Sequence, residues 1–300
     1  MNEKKYKYGI VIPHYNSSKL LRRMLSSIPE RDDLQIVVVD DCSKSEEVEA
    51  LKGLSHQNLQ IVLMEHNHGA GFARNEGLKR ISSEWVTFVD SDDMFAENAF
   101  EVLDDYVESD YDLLCYYVKA INDKTKKELR NVLKSESSVR SFFEYKTKKN
   151  ENLFRYRNNV CWNKLVRTDF LKKYHIDFEA CEVNNDVLYT LRIGMHIDKY
   201  LIIPKELYLW MENSESMTRK KRSIEREYKF YLQAQKRNGF FRYLGLNHYP
   251  FYRSNLLYFL YFMKKRGLVD TLRFFRICHA KRKEISEARK AYLNEFNNKK

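Results

Sequence analysis

The sequence predicts an α/β fold in which helices flank a mostly parallel sheet, with a helical extension at the C-terminus. In residues 1–117, short β-rich runs alternate with segments of helical spacing, the pattern of repeated strand–helix–strand units. The runs IVVVD and WVTFVD are apolar almost throughout, as expected for strands buried on both faces of a sheet. From residue 221 onward the pattern is helical, basic and aromatic.

Each predicted element follows from a local pattern. Strands are predicted where β-branched and aromatic residues cluster, and helices where apolar residues recur every three or four positions. The predicted strands are 8–12, 35–40, 59–64, 85–89 and 111–117. The predicted helices between them are 18–28, 45–54, 71–82 and 96–107. Further along, we expect a polar hairpin at 119–132, a helix and a loop at 135–159, helices at 168–174 and 184–196, and an extended stretch at 199–211.

Composition excludes several classes of protein. The chain of 300 residues has only 4 Pro and 9 Gly, which excludes collagen-like and Pro-rich sequences. No apolar run approaches the roughly 20 residues that cross a bilayer. The segment before Pro13 is too short for the core of a signal peptide, so we expect a cytoplasmic protein. The five cysteines form no CxxC pair, which predicts free thiols.

The net charge of +11 is unevenly distributed along the chain. Residues 221–300 contain 20 Lys and Arg against 6 Asp and Glu, whereas the rest of the chain is slightly acidic. We therefore predict a domain at 1–220 and a C-terminal extension at 221–300. A basic, aromatic extension suits an anionic membrane surface, which would make the protein peripheral on the inner face of the plasma membrane. The alternative is a solvated helical bundle with an aromatic core.

The strongest chemical signal is FVDSDD, at the end of the fourth predicted strand. Asp90 and Asp92 are two residues apart, so in extended backbone they point to the same side, and Asp93 adds a third carboxylate. Proteins hold Mg²⁺ and Mn²⁺ with carboxylates together with phosphate oxygens. The segment therefore predicts a metal site that also binds a diphosphate. The alternative is a solvated turn that caps the following helix.

Three other motifs lie at the carboxyl ends of strands, where ligands bind in open α/β sheets. VVVDDCS offers carboxylates to a base or a ribose, and VIPHYN offers a rigid turn with an aromatic face. HNHGAGFARNEGL places glycines and Arg74 at a loop–helix junction that suits an anionic diphosphate. Its glycine spacing matches neither the dinucleotide-binding fingerprint nor the P-loop, which argues against NAD and ATP.

In their order and spacing, VIPHYN, VVVDDCS, GAGFARNEGL and FVDSDD resemble the family-2 glycosyltransferases, which are inverting enzymes with a Rossmann-like GT-A fold. CWNKLVRTDFL and NNDVLY resemble the acceptor-side segments of that family, so the resemblance covers residues 8–190. It implies a hexosyltransferase (EC 2.4) of bacterial glycan biosynthesis. Such an enzyme moves a sugar from a nucleoside-diphosphate sugar, with UDP favoured, to a hydroxyl of a growing or lipid-linked glycan. The resemblance also implies Mn²⁺ or Mg²⁺ as cofactor.

The resemblance assigns roles to individual residues. The donor-binding residues would be Pro13, Tyr15, Asn16, Asp41, Arg74, Asp90 and Ser91. Asp92 would ligate the metal, and Asp90 would reach the ribose or the metal. The acceptor-binding residues would be Trp162, Lys164 and Asn185, and Asp186 would be the catalytic base. Residues 1–117 would form the nucleotide-sugar half of the domain and 118–220 the acceptor half.

Two positions depart from the family pattern. Cys42 stands where the family often has Gly, and Asn185 stands where an acidic residue often precedes the base. The base assignment therefore rests on Asp186 and NDVLY alone. The chemistry agrees with it, because the attacking hydroxyl must lose a proton to a nearby acceptor. Helix capping is the alternative for Asp186, and a core position is the alternative for Trp162.

Two other functions remain open from the residues. A sugar nucleotidyltransferase has a related α/β core, but it usually carries a Gly-rich basic loop after its first strand, and VIPHYNSSKL lacks one. A nucleic-acid-binding protein would use the basic tail and would show a steep salt dependence. We expect no nucleic-acid partner.

Overall fold

The computed structural model of the chain describes residues 6–129, 134–212, 223–246, 248 and 255–297. The chain divides into two compact units, Met1–Ser216 and Met217–Lys300. The predicted boundary between residues 220 and 221 lies outside the described residues. Within the described ranges, no helix is both long and apolar enough to cross a membrane.

The first unit contains one sheet and the helices that pack against it. Its described strands are β1 (Tyr8–His14), β2 (Leu34–Asp40), β3 (Leu59–Leu63), β4 (Trp85–Phe88), β5 (Met94–Phe95), β6 (Leu113–Asn122), β7 (Glu128–Leu129), β8 (Lys164–Arg167) and β9 (Tyr200–Glu212). Its described helices are α1 (Ser18–Ser26), α2 (Ser45–Lys52), α3 (Ala70–Leu78), α4 (Ala99–Asp104), α5 (Lys134–Glu144), α6 (Lys148–Arg157), α7 (Thr168–Lys173) and α8 (Asp186–His196).

The sheet has the strand order β3-β2-β1-β4-β8-β6-β9-β5, and β7 pairs with β6. The first four strands pair in parallel, as their alternation with helices predicts. β8 lies between β4 and β6 and is antiparallel to both. Every residue of β1 is buried, and so are nearly all those of β2, so both faces of this part of the sheet are covered. The predicted α/β fold is confirmed.

Several segments differ from the prediction, among them the short strand β5, which was not expected. β8 was not expected, because its four residues are too few to show a strand period. The helix and loop expected at 135–159 are instead two helices, and the side chain of Thr147 caps the second by accepting a hydrogen bond from the N–H of Asn150. The strand expected at 111–117 continues to Asn122. The predicted division between donor and acceptor halves therefore falls inside β6.

The register of the parallel strands brings the motifs to one edge of the sheet. His14, the last residue of β1, is the register partner of Asp40, the last residue of β2. The N–H of Val89, just after β4, donates to the carbonyl of Val11 in β1. The segments that follow β1, β2 and β4 therefore leave the sheet at neighbouring points, where ligands bind in folds of this class.

The second unit is helical in its described part, as predicted. It contains α9 (Ile224–Tyr243), α10 (Asn255–Ala280) and α11 (Arg282–Asn297). The side chain of Ser223 caps α9 by accepting a hydrogen bond from the N–H of Arg226. The buried residues that hold the three helices together are mostly aromatic: Tyr228, Tyr231, Ala234, Tyr258, Phe262, Phe274 and Ile285.

Candidate active site

Three carboxylates cluster in the segment that follows β4. One oxygen from each of Asp90, Asp92 and Asp93 lies within 4.8 Å of the other two. Asp93 is buried and accepts hydrogen bonds from the Tyr208 hydroxyl at 2.8 Å and from the Met211 N–H at 2.7 Å. Strand β9 thus fixes the inner end of the cluster, and the other two carboxylates are half-buried beside it.

The cluster concentrates negative charge. Burial, with the charge of Asp90 added, raises the pKa of Asp92 to about 6. Burial and the neighbouring carboxylates also raise the pKa of Asp93 well above its usual range. A divalent cation among these oxygens would offset the repulsion, and oxygen ligands are those that Mg²⁺ and Mn²⁺ prefer. The residues present therefore fit a divalent metal.

Arg74 joins the acidic cluster to Asn185, the residue just before α8. This residue of α3 is 6% exposed and donates to Asp90 at 2.6 Å and to the side-chain oxygen of Asn185 at 2.7 Å. Its guanidinium lies over the ring of Phe178, 5.3 Å from the centroid. Among the residues that the structure describes, its Nε atom has no hydrogen-bond partner. A buried N–H of a cationic group that has no hydrogen-bond partner is suited to bind an anionic ligand.

A glycine lets α3 approach the acceptor-side segment closely. At Gly71, a Cβ atom would lie 2.4 Å from the carbonyl oxygen of Glu179 and 2.7 Å from the Cβ of Asn185. One turn later, the side chain of Asn75 accepts from the N–H of Phe178 and donates to its carbonyl. The GAGFARN motif is therefore explained in part by packing, and its binding of an anion stays a prediction.

Gly71→Ala is expected to lower the free energy of unfolding by about 1–3 kcal/mol, the usual cost of overpacking a filled site. The obstructing oxygen belongs to the backbone of Glu179, so it cannot move aside as a flexible side chain would. Urea unfolding measures the change. Gly53→Ala is the control, because its Cβ would lie 3.8 Å from the nearest atom, and it should be neutral or slightly stabilising. Equal losses in the two variants would contradict the packing argument.

Asp186 is the first residue of α8 and is half-buried. The N-cap position of this helix is Asn185, so the capping alternative does not account for Asp186. Burial raises the pKa of Asp186 to about 6, against the opposing effect of the positive charge of Arg74. A carboxylate of this kind is ionised at neutral pH and accepts a proton more readily than an exposed aspartate. These are the properties that a general base requires.

The end of β1 and the turn that follows it contain three of the predicted donor residues. Pro13 is buried, Tyr15 is 53% exposed, and Asn16 has a left-handed φ of 49°. The N–H of Asn16 donates to the hydroxyl of Ser43, and its side-chain oxygen accepts from the N–H of Lys44. The turn is therefore fastened to the segment after β2. The exposed ring of Tyr15 is a suitable face for a base.

Two further donor-side residues hold loops in place. Asp41 is buried, and its two oxygens accept hydrogen bonds from the N–H groups of His68 and Gly69 at 2.8 and 2.7 Å. The Ser91 hydroxyl lies 3.1 Å from that of Ser17, which links the acidic cluster to the start of α1. Asp41 thus fixes the loop before α3, and its contact with a base stays a prediction.

One buried pair at this edge was missed in the sequence. His14 Nδ1 lies 2.7 Å from the carboxylate of Asp40, and both residues are buried. Burial raises the pKa of Asp40, but hydrogen bonds from His14 and Ser43 outweigh that effect, and the net shift is downward. The pair could have been predicted from position alone, because His14 and Asp40 are the last residues of two adjacent parallel strands.

Cys42 adopts a left-handed backbone with φ of 62°, which explains why glycine is common at this position in the family that the sequence resembles. A residue with a Cβ costs about 1–2 kcal/mol in this conformation. The Cys42 thiol donates to the carbonyl of Glu65 at 3.3 Å. The departure therefore affects local stability and leaves the neighbouring carboxylates in place.

Two of the predicted acceptor residues lie in the core. Trp162 is 6% exposed and stacks on Tyr208, with the centroids 5.4 Å apart. Lys164 is 4% exposed, and its ammonium donates to three oxygens, among them the carbonyls of Asn158 and Val160. Burial lowers the pKa of Lys164 to about 8. The ring is covered and the three donors are used internally, as in core residues, and an acceptor contact of either side chain stays a prediction.

Comparison with curated proteins identifies relatives that are named as glycosyltransferases. The poly(ribitol-phosphate) β-N-acetylglucosaminyltransferase TarS of Staphylococcus aureus (strain MW2) is 26% identical over 219 residues. The glycosyltransferase GlyA of Streptococcus pneumoniae serotype 4 is 28% identical over 229 residues. The alignments cover 70% and 71% of this chain but 36% and 32% of the relatives. The chain therefore spans about a third of the length of these relatives.

Solved structures share the fold. Residues 1–349 of S. aureus TarS in complex with UDP-GlcNAc match with a TM-score of 0.62 and 24% identity, over 77% of this chain and 66% of that one. The mannosyltransferase PcManGT from Pyrobaculum calidifontis in complex with GDP-Man and Mn²⁺ matches with a TM-score of 0.53 and 14% identity, over 92% and 76%. These likenesses confirm the GT-A fold. The profile of glycosyl transferase family 2 matches residues 9–175, more than half of the sequence, and the chain belongs to that family.

Proposed function

We propose that the chain is an inverting glycosyltransferase that transfers a sugar from a UDP-sugar to a hydroxyl of a growing bacterial glycan. The observation that carries this proposal is the position of Arg74, which donates both to Asp90 and to Asn185, the neighbour of Asp186. This arrangement supports a site in which the residues for the donor diphosphate adjoin the residue for the acceptor hydroxyl. Sugar transfer needs these two functions next to the same carbon atom.

The two other functions that the sequence left open, a sugar nucleotidyltransferase and a nucleic-acid-binding protein, now have less support. The sugar nucleotidyltransferase interpretation rested on an α/β core, and membership of glycosyl transferase family 2 accounts for that core. The nucleic-acid interpretation rested on the charge of the last 80 residues alone. A cytoplasmic location is part of the proposal, because nucleotide sugars are made and used there.

The donor is proposed to be a UDP-sugar. TarS is named as an N-acetylglucosaminyltransferase, and its structure is a complex with UDP-GlcNAc. In this chain the base would lie against the exposed ring of Tyr15, and the diphosphate would lie near the buried guanidinium of Arg74. The proposed donor contacts are Pro13, Tyr15, Asn16, Asp41, Arg74, Asp90 and Ser91.

Mn²⁺ or Mg²⁺ is the proposed cofactor, held by Asp92 together with Asp90. The clustered carboxylates supply hard oxygen ligands, and the hydrogen bonds of Asp93 to β9 hold the cluster in shape. Mn²⁺ is present in the PcManGT complex, which shares the fold. When bound, such a cation would supply positive charge to the oxygens of the departing diphosphate.

In the proposed reaction, Asp186 accepts the proton of the acceptor hydroxyl while that oxygen attacks the anomeric carbon. The bond from this carbon to the diphosphate oxygen breaks in the same displacement, so UDP leaves from the opposite face and the configuration is inverted. Burial lowers the pKa of Arg74, but neighbouring negative charges raise it more, and the guanidinium stays cationic. It can therefore orient the diphosphate through charge-assisted hydrogen bonds.

A panel of nucleotide sugars tests the proposal. The purified chain, supplied with Mn²⁺, is incubated with UDP-GlcNAc, UDP-glucose, UDP-galactose, GDP-mannose and dTDP-glucose, and nucleotide release is measured. We expect slow release of UDP from at least one UDP-sugar, and its loss when EDTA removes the metal. Release from GDP-mannose or dTDP-glucose alone would overturn the donor assignment. Release from none of them, with either Mn²⁺ or Mg²⁺, would contradict the proposed activity.

A further inference from the structure

Helix α10 folds back on itself. Gly267 has a φ of 80° and interrupts the helical backbone. Rings on either side of it meet in pairs, with Phe262 lying 4.5 Å from Phe274 and Phe259 lying 4.6 Å from Phe275, centroid to centroid. Contacts that are nearly symmetrical about residue 267 indicate two antiparallel helical halves joined by a tight turn. We refer to residues 255–280 as the α10 hairpin.

One side of the α10 hairpin exposes large apolar side chains. Those of the first half are Leu256, Leu257, Leu260, Tyr261 and Met263, and those of the second half are Leu268, Val269, Leu272 and Phe275. Their exposed fractions range from 37% to 65%. Within each half they recur every three or four positions, so each set forms a stripe along the helix. The two stripes adjoin, because Leu256 of the first half and Phe275 of the second half line one hollow.

An apolar cavity of about 330 Å³ adjoins the two stripes. Leu256 and Phe275 belong both to the stripes and to its lining, and Tyr231 of α9 forms part of its wall. An exposed apolar surface that continues into a cavity is more often an interaction site than a surface that contacts only solvent.

The α10 hairpin is also basic. Its charged residues are Lys264, Lys265, Arg266, Arg273 and Arg276, against the one acidic residue Asp270. Lys265 and Arg266 lie 3.5 and 3.6 Å from Glu227 of α9, which partly offsets their charge. Lys264 and Arg276 are exposed, and the side chain of Arg273 is 65% exposed. Positive charge therefore flanks the apolar stripes.

We propose that the α10 hairpin binds the surface of a membrane that contains anionic lipids, with its stripes among the lipids and its basic residues at the head groups. Exposed apolar residues flanked by cations are the combination that anchors helices at an anionic interface. Each half, of about 12 residues, is about 18 Å long. That is shorter than the roughly 30 Å hydrocarbon core, so the hairpin lies on the membrane and does not span it.

A second copy of the chain is a poorer occupant of this surface. A twofold contact places the same patch of both copies face to face. Two α10 hairpins would then bring their basic residues together with only one acidic residue on each to offset them. An anionic bilayer complements the same charges. The proposal is independent of the donor and the reaction.

Vesicle flotation with the full chain tests the proposal. We expect binding to vesicles of phosphatidylcholine and phosphatidylglycerol, little binding to phosphatidylcholine alone, and weaker binding at high salt. Leu272→Glu places a charge within a stripe and should weaken binding by roughly tenfold or more. Leu63→Glu on β3 is the matched control, since Leu63 is 53% exposed and Leu272 is 54% exposed, and it should bind as the parent does.

Two double variants test whether vesicle binding depends on the α10 hairpin or on the positive charge of the protein as a whole. Arg273→Gln combined with Arg276→Gln should reduce the salt-sensitive part of binding, whereas Lys52→Gln with Lys148→Gln removes the same charge from the first unit and should not. Analytical ultracentrifugation checks for self-association. The proposal is overturned if the parent binds no vesicles, if the variants and their controls bind alike, or if Leu272→Glu dissolves a dimer and leaves vesicle binding intact.

Discussion

Asp186→Asn is expected to lower kcat by about 10²–10⁴-fold, the usual contribution of a general base, while UDP binding stays near that of the parent. Asn has almost the same size and suits the first turn of a helix, but it cannot accept the proton of the acceptor hydroxyl. Steady-state kinetics at saturating donor measure kcat, and calorimetry measures UDP binding. The selective loss of turnover is the signature of a group that acts in the transition state.

Glu182→Gln is the control for this variant. Glu182 is the nearest other acidic residue in the same segment and is exposed. Its replacement removes the same charge by an equally conservative change, so turnover should survive. Retained turnover in Asp186→Asn, with loss in Glu182→Gln, would move the base to Glu182.

The pH dependence gives a second readout for Asp186. Its pKa of about 6 predicts that kcat, measured at saturating Mn²⁺, falls as the pH drops through 6, because the base becomes protonated. The raised pKa also means that the folded protein binds the proton more tightly than the unfolded chain. The contribution of Asp186 to stability is therefore lost as the pH rises from about 4 to about 6. At pH 8, Asp186→Asn should unfold at the same temperature as the parent or higher, and a lower temperature would indicate a structural role.

Asp92→Asn is expected to reduce transfer by about 100-fold or more, since a catalytic cation contributes several kcal/mol to the reaction. The change removes the charge of one proposed ligand from a cluster of three carboxylates. UDP binding in the presence of Mn²⁺ should weaken, whereas binding in EDTA should change little. Titration of UDP with and without the metal measures both effects.

Asp110→Asn is the control for Asp92→Asn, because its side chain is 90% exposed and lies outside the acidic cluster. It should retain activity and metal-dependent binding. Without metal, Asp92→Asn should be slightly more stable than the parent, because it removes a charge whose burial, together with the repulsion from Asp90, raises the pKa of Asp92 to about 6. Parent-like activity in Asp92→Asn would exclude Asp92 as a ligand.

The parts of the fold that the sequence predicts are those with a local period. β1 and β2 are nearly continuous apolar runs, because both of their faces are covered. A run of that kind can be recognised in the sequence alone. The acidic cluster was equally visible, since its three carboxylates lie within four residues. β8 was not, because its strand character comes from its two neighbours in the sheet and not from its four residues.

The candidate site shows the same limit. Residue type suggested that Trp162 faces an acceptor, but its burial depends on packing against the distant residue Tyr208. The bridge from Asp90 through Arg74 to Asn185 likewise joins three remote parts of the chain. Such contacts cannot be predicted from a pattern of neighbouring residues. The position of the motifs at strand ends does predict the approximate location of the site.

The position of β8 bears on how this domain can assemble and be re-engineered. Trp85 pairs with Arg167 and Leu113 pairs with Val166, so an acceptor-side strand closes the gap between β4 and β6. The central sheet cannot be completed until the chain as far as residue 167 is available, and long-range pairing of this kind makes folding slow. A fragment that stops at residue 117 would leave the edge of β4 open to aggregation. We therefore expect a segment that ends at residue 117 to be a poor unit for exchange between relatives, because it separates β4 from the strand that pairs with it.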